Sequence, residues 1–318
     1  MMDSLLASAA YVPVAVTTRS GFDESVHFGA VVALGADGSI AFSAGDPDLL
    51  IYPRSSNKPL QADAMLGLGL ELELEQLALA CASHDGTDRH LTVVRRILAD
   101  AGLTESALGN TPDLPLDEST ADVLLVSGGR RTCLQMNCSG KHAAMVATCV
   151  INGWDVDGYL SGEHPLQRAI GARIGELTGG VAHVGVDGCG APAHVVSLVG
   201  LAQAFRSLAS DRSRVWQAMA EHPELVGGDR RDVTRLMRLV PGLMAKDGAE
   251  GVFAAALPDG RAAAVKIADG TSRAAGIVLA TALALVGIDV DPSELGDPIL
   301  GHGRPVGAIR SLFSGNIK

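Results

Sequence analysis

The chain has 318 residues, of which 47% are hydrophobic, 19% are charged and only 3% are aromatic. This composition supplies a sizeable core and excludes a disordered chain, because disorder accompanies low hydrophobicity. The formal net charge of −11 at pH 7 disfavours nucleic acid and anionic lipid as partners, since both select basic surfaces.

Two apolar segments raise the question of a targeting or membrane signal. The N-terminal run MMDSLLASAAYVPVAV has no basic residue before it, so it is interpreted as mature chain rather than a secretory signal. The run GIVLATALALVGI is shorter than the ~20 residues that span a bilayer, and it predicts a buried helix. A cytoplasmic protein is therefore expected.

The first part of the chain predicts strands followed by helices. VPVAVTTR, HFGAVVAL and IAFSAG are rich in β-branched or apolar residues and indicate an antiparallel meander. A helix is expected after Ile51–Lys58, because Pro59 is tolerated only in a first turn. LEQLALACASH predicts a second helix, and a third should begin near Thr87 or Asp88. Residues 105–130 indicate a long irregular surface segment.

The second part predicts more helices and a final hairpin. Helices are expected in HAAMVATCVINGW, HPLQRAIGARIGELTG, VVSLVGLAQAFRSLA, SRVWQAMAEH and, with an N-terminal cap, TSRAAGIVLATALALVGI. AHVGVDGCGAP predicts a strand that enters a glycine-rich loop, and GVFAAALPDGRAAAVKIADG predicts a hairpin. Without regular βαβ alternation, this order predicts an α+β fold, with an antiparallel sheet, packed helices and a helical lobe. No linker divides the chain, so residues 1–318 are expected to form one domain with two lobes, the sheet coming from both chain ends.

A serine and a lysine in YPRSSNKPLQADAM are the first catalytic candidates. Ser55 and Lys58 share one face if the segment is helical, so the amine can take the proton of the hydroxyl. Partial positive charge and backbone N–H groups at a helix start would stabilise an oxyanion. The spacing alone is also compatible with chance, because serine and lysine are common.

Two further candidates stand at unusual positions. Ser83 follows an apolar helix in SHDG, where a plain polar cap is the alternative. Lys266 lies in the apolar strand AAAVKIADG; on an inner face it would need a partner or a neutral amine, because burying a charge is costly.

Cysteines in two glycine-rich loops suggest a metal site. The chain has five cysteines, Cys81, Cys133, Cys138, Cys149 and Cys189, and an odd number without a secretory signal argues against a disulfide scaffold. NCSGKH and GVDGCG bring thiols together with nitrogen and oxygen donors, which suits zinc. No Cys-x-x-Cys pattern is present, so buried free thiols remain the alternative.

Taken together, these blocks resemble the rhizobial-type L-asparaginases, also called asparaginase II. The resemblance covers nearly the whole chain and includes TTRSGFDESVHFGAVVAL, YPRSSNKPLQA, CASHDG, QMNCSGKHAAM, GVDGCGAP, GLMAKDGAEGV and AVKIADG. It implies hydrolysis of L-asparagine, a fold similar to serine β-lactamases and glutaminases, and a homodimer.

The resemblance also implies the roles of individual residues. The catalytic pairs would be Ser55 with Lys58 and Ser83 with Lys266. A metal, typically one zinc ion per subunit, would be held by Cys138, Lys141 and Cys189. Arg54, His142 and Asp187 would line the substrate site.

Departures and alternatives remain at this point. The chain lacks the Ser-Asp-Asn and Lys-Thr-Gly motifs of β-lactamases, so a β-lactam site is not expected. A glutaminase or another Ser-Lys amidohydrolase is the enzymatic alternative. A zinc-stabilised protein that binds an amino acid without turnover is the non-enzymatic one.

Overall fold

In the computed structural model, which describes residues 10–313, the chain divides into two compact units. The first unit contains the described residues up to Ser56, together with Val196–Ser213 and those from Arg235 onward. The second unit contains Asn57–Val195 and Arg214–Thr234. The chain therefore leaves the first unit within the segment that carries Ser55 and Lys58.

The strands of the described chain are β1 (Val12–Arg19), β2 (Phe22–Leu34), β3 (Ile40–Ala44), β4 (Leu50–Ile51), β5 (His183–Val186), β6 (Pro192–Ser197), β7 (Met244–Gly248), β8 (Val252–Ala256), β9 (Ala262–Ile267), β10 (Ile299–Gly301), β11 (Arg304–Gly307) and β12 (Ile309–Ser311). The helices are α1 (Lys58–Gly67), α2 (Leu74–Ala80), α3 (Asp88–Asp100), α4 (Glu118–Val126), α5 (Ser139–Ile151), α6 (Pro165–Thr178), α7 (Leu198–Ser210), α8 (Arg214–Glu221), α9 (Pro223–Gly227), α10 (Asp232–Leu239) and α11 (Ala275–Leu285).

An antiparallel sheet forms the centre of the first unit. Its strand order is β12-β1-β2-β9-β8-β7, and β3 also pairs with β2. Strand β12 pairs with β1 over Ala15–Thr17, so strands from the two halves of the chain meet in one sheet. Helices α7 and α11 pack against this sheet, and the many alanines of β8 and β9 let the helices approach it closely. Strands β8 and β9 form the predicted hairpin, with Ala256 opposite Ala262 next to the turn.

The second unit is built mainly of helices. Helix α5 is its most buried element, with every residue from Ser139 to Cys149 buried. Pro165 occupies the first turn of α6, and Gly179 ends that helix at φ 80, a left-handed conformation that glycine adopts without strain. Strand β5 pairs antiparallel with residues 192–195.

The structure confirms the predicted α+β class, with an antiparallel sheet, packed helices and a helical region. Three local predictions were wrong. Residues 105–130 contain α4, where the Asp117 carboxylate caps the helix by accepting from the Thr120 N–H. The residues Val195–Ser197 extend β6 instead of starting a helix. Helix α11 begins after Ala274, which has no side-chain cap.

The run Gly276–Ile288 does form a buried helix, as predicted, because α11 is apolar on all sides and buried from Ala275 to Ala284. Among residues 10–313, no helix combines the length and the apolarity needed to cross a membrane. The first nine residues of the N-terminal run lie outside the described residues.

Candidate active site and metal centre

Lys58 and Ser83 are in direct contact within the second unit. Lys58 is the first residue of α1 and is only 3% exposed. Its Nζ donates to Ser83 Oγ at 3.1 Å and to the Ala82 carbonyl at 2.5 Å. A buried amine beside a buried hydroxyl is the arrangement that proton transfer between them requires. Predicted partners for Lys58 and Ser83 were Ser55 and Lys266, so this contact is new.

The backbone around Ser83 is fixed from several sides. After α2 ends at Ala80, the Ser83 N–H donates to the Val226 carbonyl at 3.1 Å. The Ser83 carbonyl accepts from Arg231 Nη1 at 2.5 Å, and the same guanidinium nitrogen lies 3.9 Å from the buried carboxylate of Asp85. These contacts hold the Ser83 hydroxyl in place against Lys58.

Ser55 lies in the first unit, in a 3-10 helix over Arg54–Asn57 that directly precedes α1. Its side chain is half-buried. Arg54 has φ 53, which is uncommon for a non-glycine residue and costs energy. Its Nη1 lies 3.8 Å from Glu250 Oε1. Such strain persists where the surroundings impose it, and it is frequent at functional sites.

Lys246, on the edge strand β7, is a candidate that the sequence analysis missed. Its side chain is fully buried, and Nζ donates to Asp247 Oδ1 and to the Asp247 carbonyl, both at 2.6 Å. Its own carbonyl accepts from Ser56 Oγ at 2.9 Å, which ties β7 to the segment that carries Ser55. A charged Lys-Asp pair between the apolar residues of GLMAKDG was the available signal.

Lys266, on β9, is half-buried in the first unit. Its Nζ donates to the Glu250 carbonyl at 2.7 Å and to the Ile267 carbonyl at 2.5 Å. Burial lowers the pKa of Lys266 below its usual value, against the opposing effect of the carboxylates of Glu250 and Asp269. Arg54 and Lys266 therefore both contact Glu250: Arg54 lies near its carboxylate, and Lys266 donates to its backbone carbonyl.

Lysine is used sparingly in this chain. The sequence has five lysines, and four of them, at positions 58, 141, 246 and 266, are among the described residues. Three of these are at most 3% exposed and Lys266 is half-buried. Lysine is almost never buried unless its amine has a specific partner, and each of the four described lysines has one.

The two glycine-rich loops bring a metal-capable group together in the second unit. One donor atom each from Cys138, His142 and Cys189 lies within 4.8 Å of the others, and all three residues are buried. Lys141 Nζ donates to Cys189 Sγ at 3.2 Å. Cys138, His142 and Cys189 are thus close enough to bind one ion, and Lys141, the third predicted ligand, contacts Cys189.

The charges of this group depend on one another. The pKa of Cys189 is far below its usual value, because Cys138 donates to it and because Lys141 adds a positive charge. Burial, together with Cys189, raises the pKa of Cys138 well above its usual value. Burial opposes the charged form of Lys141, but the two sulfurs outweigh it and the pKa of Lys141 is raised. These directions favour a thiolate at Cys189, whose sulfur accepts from Lys141 Nζ.

The donor set fits a zinc ion. His142 Nδ1 bonds the Tyr159 hydroxyl at 2.7 Å, while His142 Nε2 is buried without a hydrogen-bond partner among the described residues. Burial and the Lys141 charge lower the pKa of His142 to about 4, so its ring is neutral and able to donate a lone pair. Two sulfurs and one or two nitrogens suit tetrahedral zinc, provided that Lys141 loses its proton.

Asp187 lies in the loop after β5, beside this group. It is half-buried, its carboxylate accepts from the Gly188 N–H at 2.8 Å, and its charge adds to the rise in the pKa of Lys141. Among the predicted residues, the structure shows contact of Lys58 with Ser83, of Arg54 and Lys266 with Glu250, and of His142 and Lys141 with the group around the cysteines. Whether they carry catalysis remains a prediction.

Residues 15–311 match the family L-asparaginase II. The chain belongs to the L-asparaginase II family. The match extends from β1 to β12, so it contains all of the candidate residues above. Membership makes this L-asparaginase II chain an amidohydrolase and confirms the resemblance drawn from the motifs.

Solved structures similar to this L-asparaginase II chain are distant in sequence. A β-lactamase from Mycobacterium bovis is 15% identical, with a TM-score of 0.36, over 81% of this chain and 93% of that one. SurE is 15% identical, with a TM-score of 0.43, over 86% and 75%. A probable glutaminase from Bacillus subtilis is 13% identical, with a TM-score of 0.32, over 80% and 88%. No curated protein matches the sequence.

Proposed function

We propose that the protein hydrolyses L-asparagine to L-aspartate and ammonia through a serine–lysine acyl-enzyme. Two observations support this: the family match over residues 15–311, and the buried contact of 3.1 Å between Lys58 Nζ and Ser83 Oγ. The second observation supports the role of Lys58 as the base, because it places this amine where it can exchange a proton with a hydroxyl. The choice of Ser55 as the nucleophile rests on its position three residues before Lys58 in the matched segment.

In the proposed first step, Ser55 Oγ attacks the side-chain amide carbon of asparagine. The hydroxyl proton passes to Lys58 Nζ, three residues later in the chain, and backbone N–H groups at the start of α1 stabilise the oxyanion. The C–N bond then breaks, the Lys58 proton passes to the leaving group, and ammonia departs. An aspartyl ester remains on Ser55.

In the second step, water attacks the ester carbon and gives its proton to Lys58. The C–O bond to Ser55 breaks, the serine oxygen takes the proton back, and aspartate is released. Ser83 relays protons through its contact with Lys58, and Lys266 is proposed as its second amine. Lys246, which is fully buried and whose carbonyl accepts from Ser56, is the alternative to Lys266 as this second amine. A second ammonium near Lys58 would lower the pKa of Lys58 and favour its action as a base.

Substrate binding is assigned to the remaining candidates. Arg54 would hold the α-carboxylate of asparagine, and His142 and Asp187 would line the side of the pocket next to the metal-capable loops. Cys138, Lys141 and Cys189 would bind one zinc ion per subunit, with His142 as a further donor from the same group. When bound, zinc would supply a fixed positive charge that holds the two loops together, and it is not proposed as the catalyst of the acyl transfer. A homodimer in the cytoplasm is proposed from the resemblance alone.

Ammonia release by the purified protein tests this function. L-Asparagine and L-glutamine are compared at equal concentration, because one methylene moves the reacting carbonyl by more than an ångström and misaligns it. Faster release from asparagine supports the proposal, and faster release from glutamine makes the protein a glutaminase. Binding of zinc and asparagine without ammonia release would indicate the non-enzymatic binding protein instead.

A further inference from the structure

A buried histidine next to Ser83 has no role in the mechanism above. His84 is completely buried in the second unit, in the loop between α2 and α3. Its backbone N–H donates to the Asn137 carbonyl at 2.9 Å, and its ring Nε2 lies 2.8 Å from Ser139 Oγ. Both partners flank Cys138. His84 therefore connects the loop of Ser83 to the start of α5, where Cys138 and Lys141 lie.

The hydrogen bonds fix the tautomer of this ring. The Gly86 backbone N–H can only donate, and it points at His84 Nδ1 at 3.1 Å. Nδ1 is therefore an acceptor, so a neutral ring carries its proton on Nε2 and donates it to Ser139 Oγ. Burial, followed by the charges of His90, Lys58 and Arg231, holds the pKa of His84 well below its usual value and keeps the ring neutral.

Two further features lie next to the ring. His90 stacks on His84 with ring centroids 5.5 Å apart and an interplanar angle of 17°. Gly86 has φ 77, and a side chain there would meet Pro115 at 2.8 Å, so the turn that presents the Gly86 N–H needs glycine. A neutral, oriented and completely buried imidazole is a costly feature for a loop that only caps a helix.

We propose that His84 is a positioning residue that couples the Lys58–Ser83 contact to the metal-capable group on α5. The coupling runs from Ser83 through the His84 ring to Ser139 Oγ, and from there along the first turn of α5 to Cys138. A shift at the start of α5 when Cys138 and His142 bind a cation would move the acceptor of His84, and with it the Ser83 hydroxyl. The inference rests on the proposed function only for its kinetic readout.

Four variants separate the two ring contacts. Ser139→Ala removes the acceptor of Nε2–H. His84→Asn keeps an acceptor for the Gly86 N–H but loses the donor to Ser139, whereas His84→Gln keeps that donor. His90→Gln is the matched control, because His90 stacks on the same ring but bonds Thr87 and the Glu224 carbonyl instead of α5.

Kinetics and zinc affinity are measured for each variant by asparagine-dependent ammonia release and by competition with a chromophoric chelator. Loss of a residue that orients a metal ligand costs about 10- to 100-fold in affinity or activity. We expect Ser139→Ala and His84→Asn to lower kcat and to weaken zinc by that range, with KM nearly unchanged. The double variant Ser139→Ala with His84→Asn should lose no more than either single variant. His84→Gln should recover most of the loss, and His90→Gln should change neither kcat nor zinc affinity.

Several results would overturn the inference. Wild-type kcat and zinc affinity in Ser139→Ala, or losses that multiply in the double variant, would show that no bond couples the two sites. Nitrogen NMR of labelled histidine, assigned with the His84 variants, should show the Nε2–H tautomer; the Nδ1–H tautomer contradicts the proposal.

Failure of the proposed function is distinguishable from failure of the coupling. If the wild type releases no ammonia from asparagine, the proposed function fails, while the zinc affinities of Ser139→Ala and His84→Asn still test the coupling. Weaker zinc in these two variants then supports it, and unchanged zinc contradicts it.

Discussion

Lys58 Nζ and Ser83 Oγ, 25 positions apart in the sequence, lie 3.1 Å from each other in the interior of the second unit. The amine also bonds the Ala82 carbonyl, so the backbone before Ser83 and its side chain hold the same nitrogen. Lys58 is thereby the neighbour of one serine in space and of Ser55 in the sequence. This double relationship makes it the residue on which the proposed chemistry turns.

The two described lysines of the first unit, Lys246 and Lys266, should contribute unequally to turnover and to stability. Lys246 is fully buried and ion-paired, whereas Lys266 is half-buried and bonds backbone carbonyls. We expect Lys246→Met to lower kcat for asparagine more than Lys266→Met does. It should also destabilise the protein by about 3–5 kcal/mol, because it leaves Asp247 without its buried partner. Urea unfolding and ammonia release on both variants check this, and a larger kcat loss in Lys266→Met would restore the pairing predicted from sequence.

Zinc binding should depend on Cys189 and not on a nearby cysteine. Cys189→Ser is expected to lose the metal, because it removes the thiolate that Lys141 and His142 support. Cys149 is equally buried on α5 but lies outside the metal-capable group, so Cys149→Ser should keep the metal. Zinc at 100 times its Kd should stabilise the wild type by about 2.7 kcal/mol. The zinc content per subunit and the thermal unfolding temperature are measured for both variants. Equal zinc content in Cys189→Ser and Cys149→Ser would refute the assigned ligands.

Stability should fall in mild acid. Burial holds the pKa of His90 below its usual value of about 6.5, against the opposing hydrogen bond to Glu224. Below that pH the unfolded chain binds a proton that the folded chain does not, so the free energy of unfolding decreases as pH falls and is constant above it. His90→Gln should make this decrease smaller. The free energy of unfolding is measured by urea titration between about pH 5 and pH 8, the range in which histidine titrates, with a chelator present. The same dependence on pH in the wild type and in His90→Gln would contradict the assignment to His90.

Gly228 should be intolerant of a side chain for two reasons, its backbone conformation and its contact with Asp85. It has φ 68 and ψ −165, a combination essentially restricted to glycine, and an added methyl group would overlap the Asp85 carboxylate. Gly102 has φ 70 with open space around it, so Gly102→Ala measures the strain of a positive φ without a clash, about 1–2 kcal/mol. We expect Gly228→Ala to cost about 1–3 kcal/mol more, as overpacking does, and to lower kcat by displacing the Ser83 loop. Equal unfolding free energies in the two variants would contradict this expectation.

The sequence predicted the candidate residues better than their partners. Periodicity and turn residues located β1, the β8–β9 hairpin and α11, since these depend on local pattern. The contact between Lys58 and Ser83 joins two segments that are distant in sequence, and no local spacing encodes it. Lys246 was missed because a lysine in a strand is ordinarily exposed, and only the structure shows its complete burial.

The helix α4 illustrates the opposite failure. Polar residues and glycines in 105–130 hid a nine-residue helix whose cap, Asp117, was readable in the sequence. None of its residues is buried, so no apolar stripe distinguished it from a loop. The sequence predicts a helix whose buried face produces an apolar pattern. A helix that is marked only by its capping residue, as α4 is, is easily missed.

Ammonia release from L-asparagine by the wild type, Ser55→Ala, Ser56→Ala and Lys58→Met tests the central claim most directly. General base catalysis contributes about 10²- to 10⁴-fold, so Lys58→Met should lose at least a hundredfold of kcat, and Ser55→Ala should lose turnover altogether. The Ser56 hydroxyl donates to the backbone carbonyl of Lys246 and has no assigned part in the proton transfer, so Ser56→Ala should retain most activity. Full turnover in Ser55→Ala or in Lys58→Met would contradict the serine–lysine mechanism.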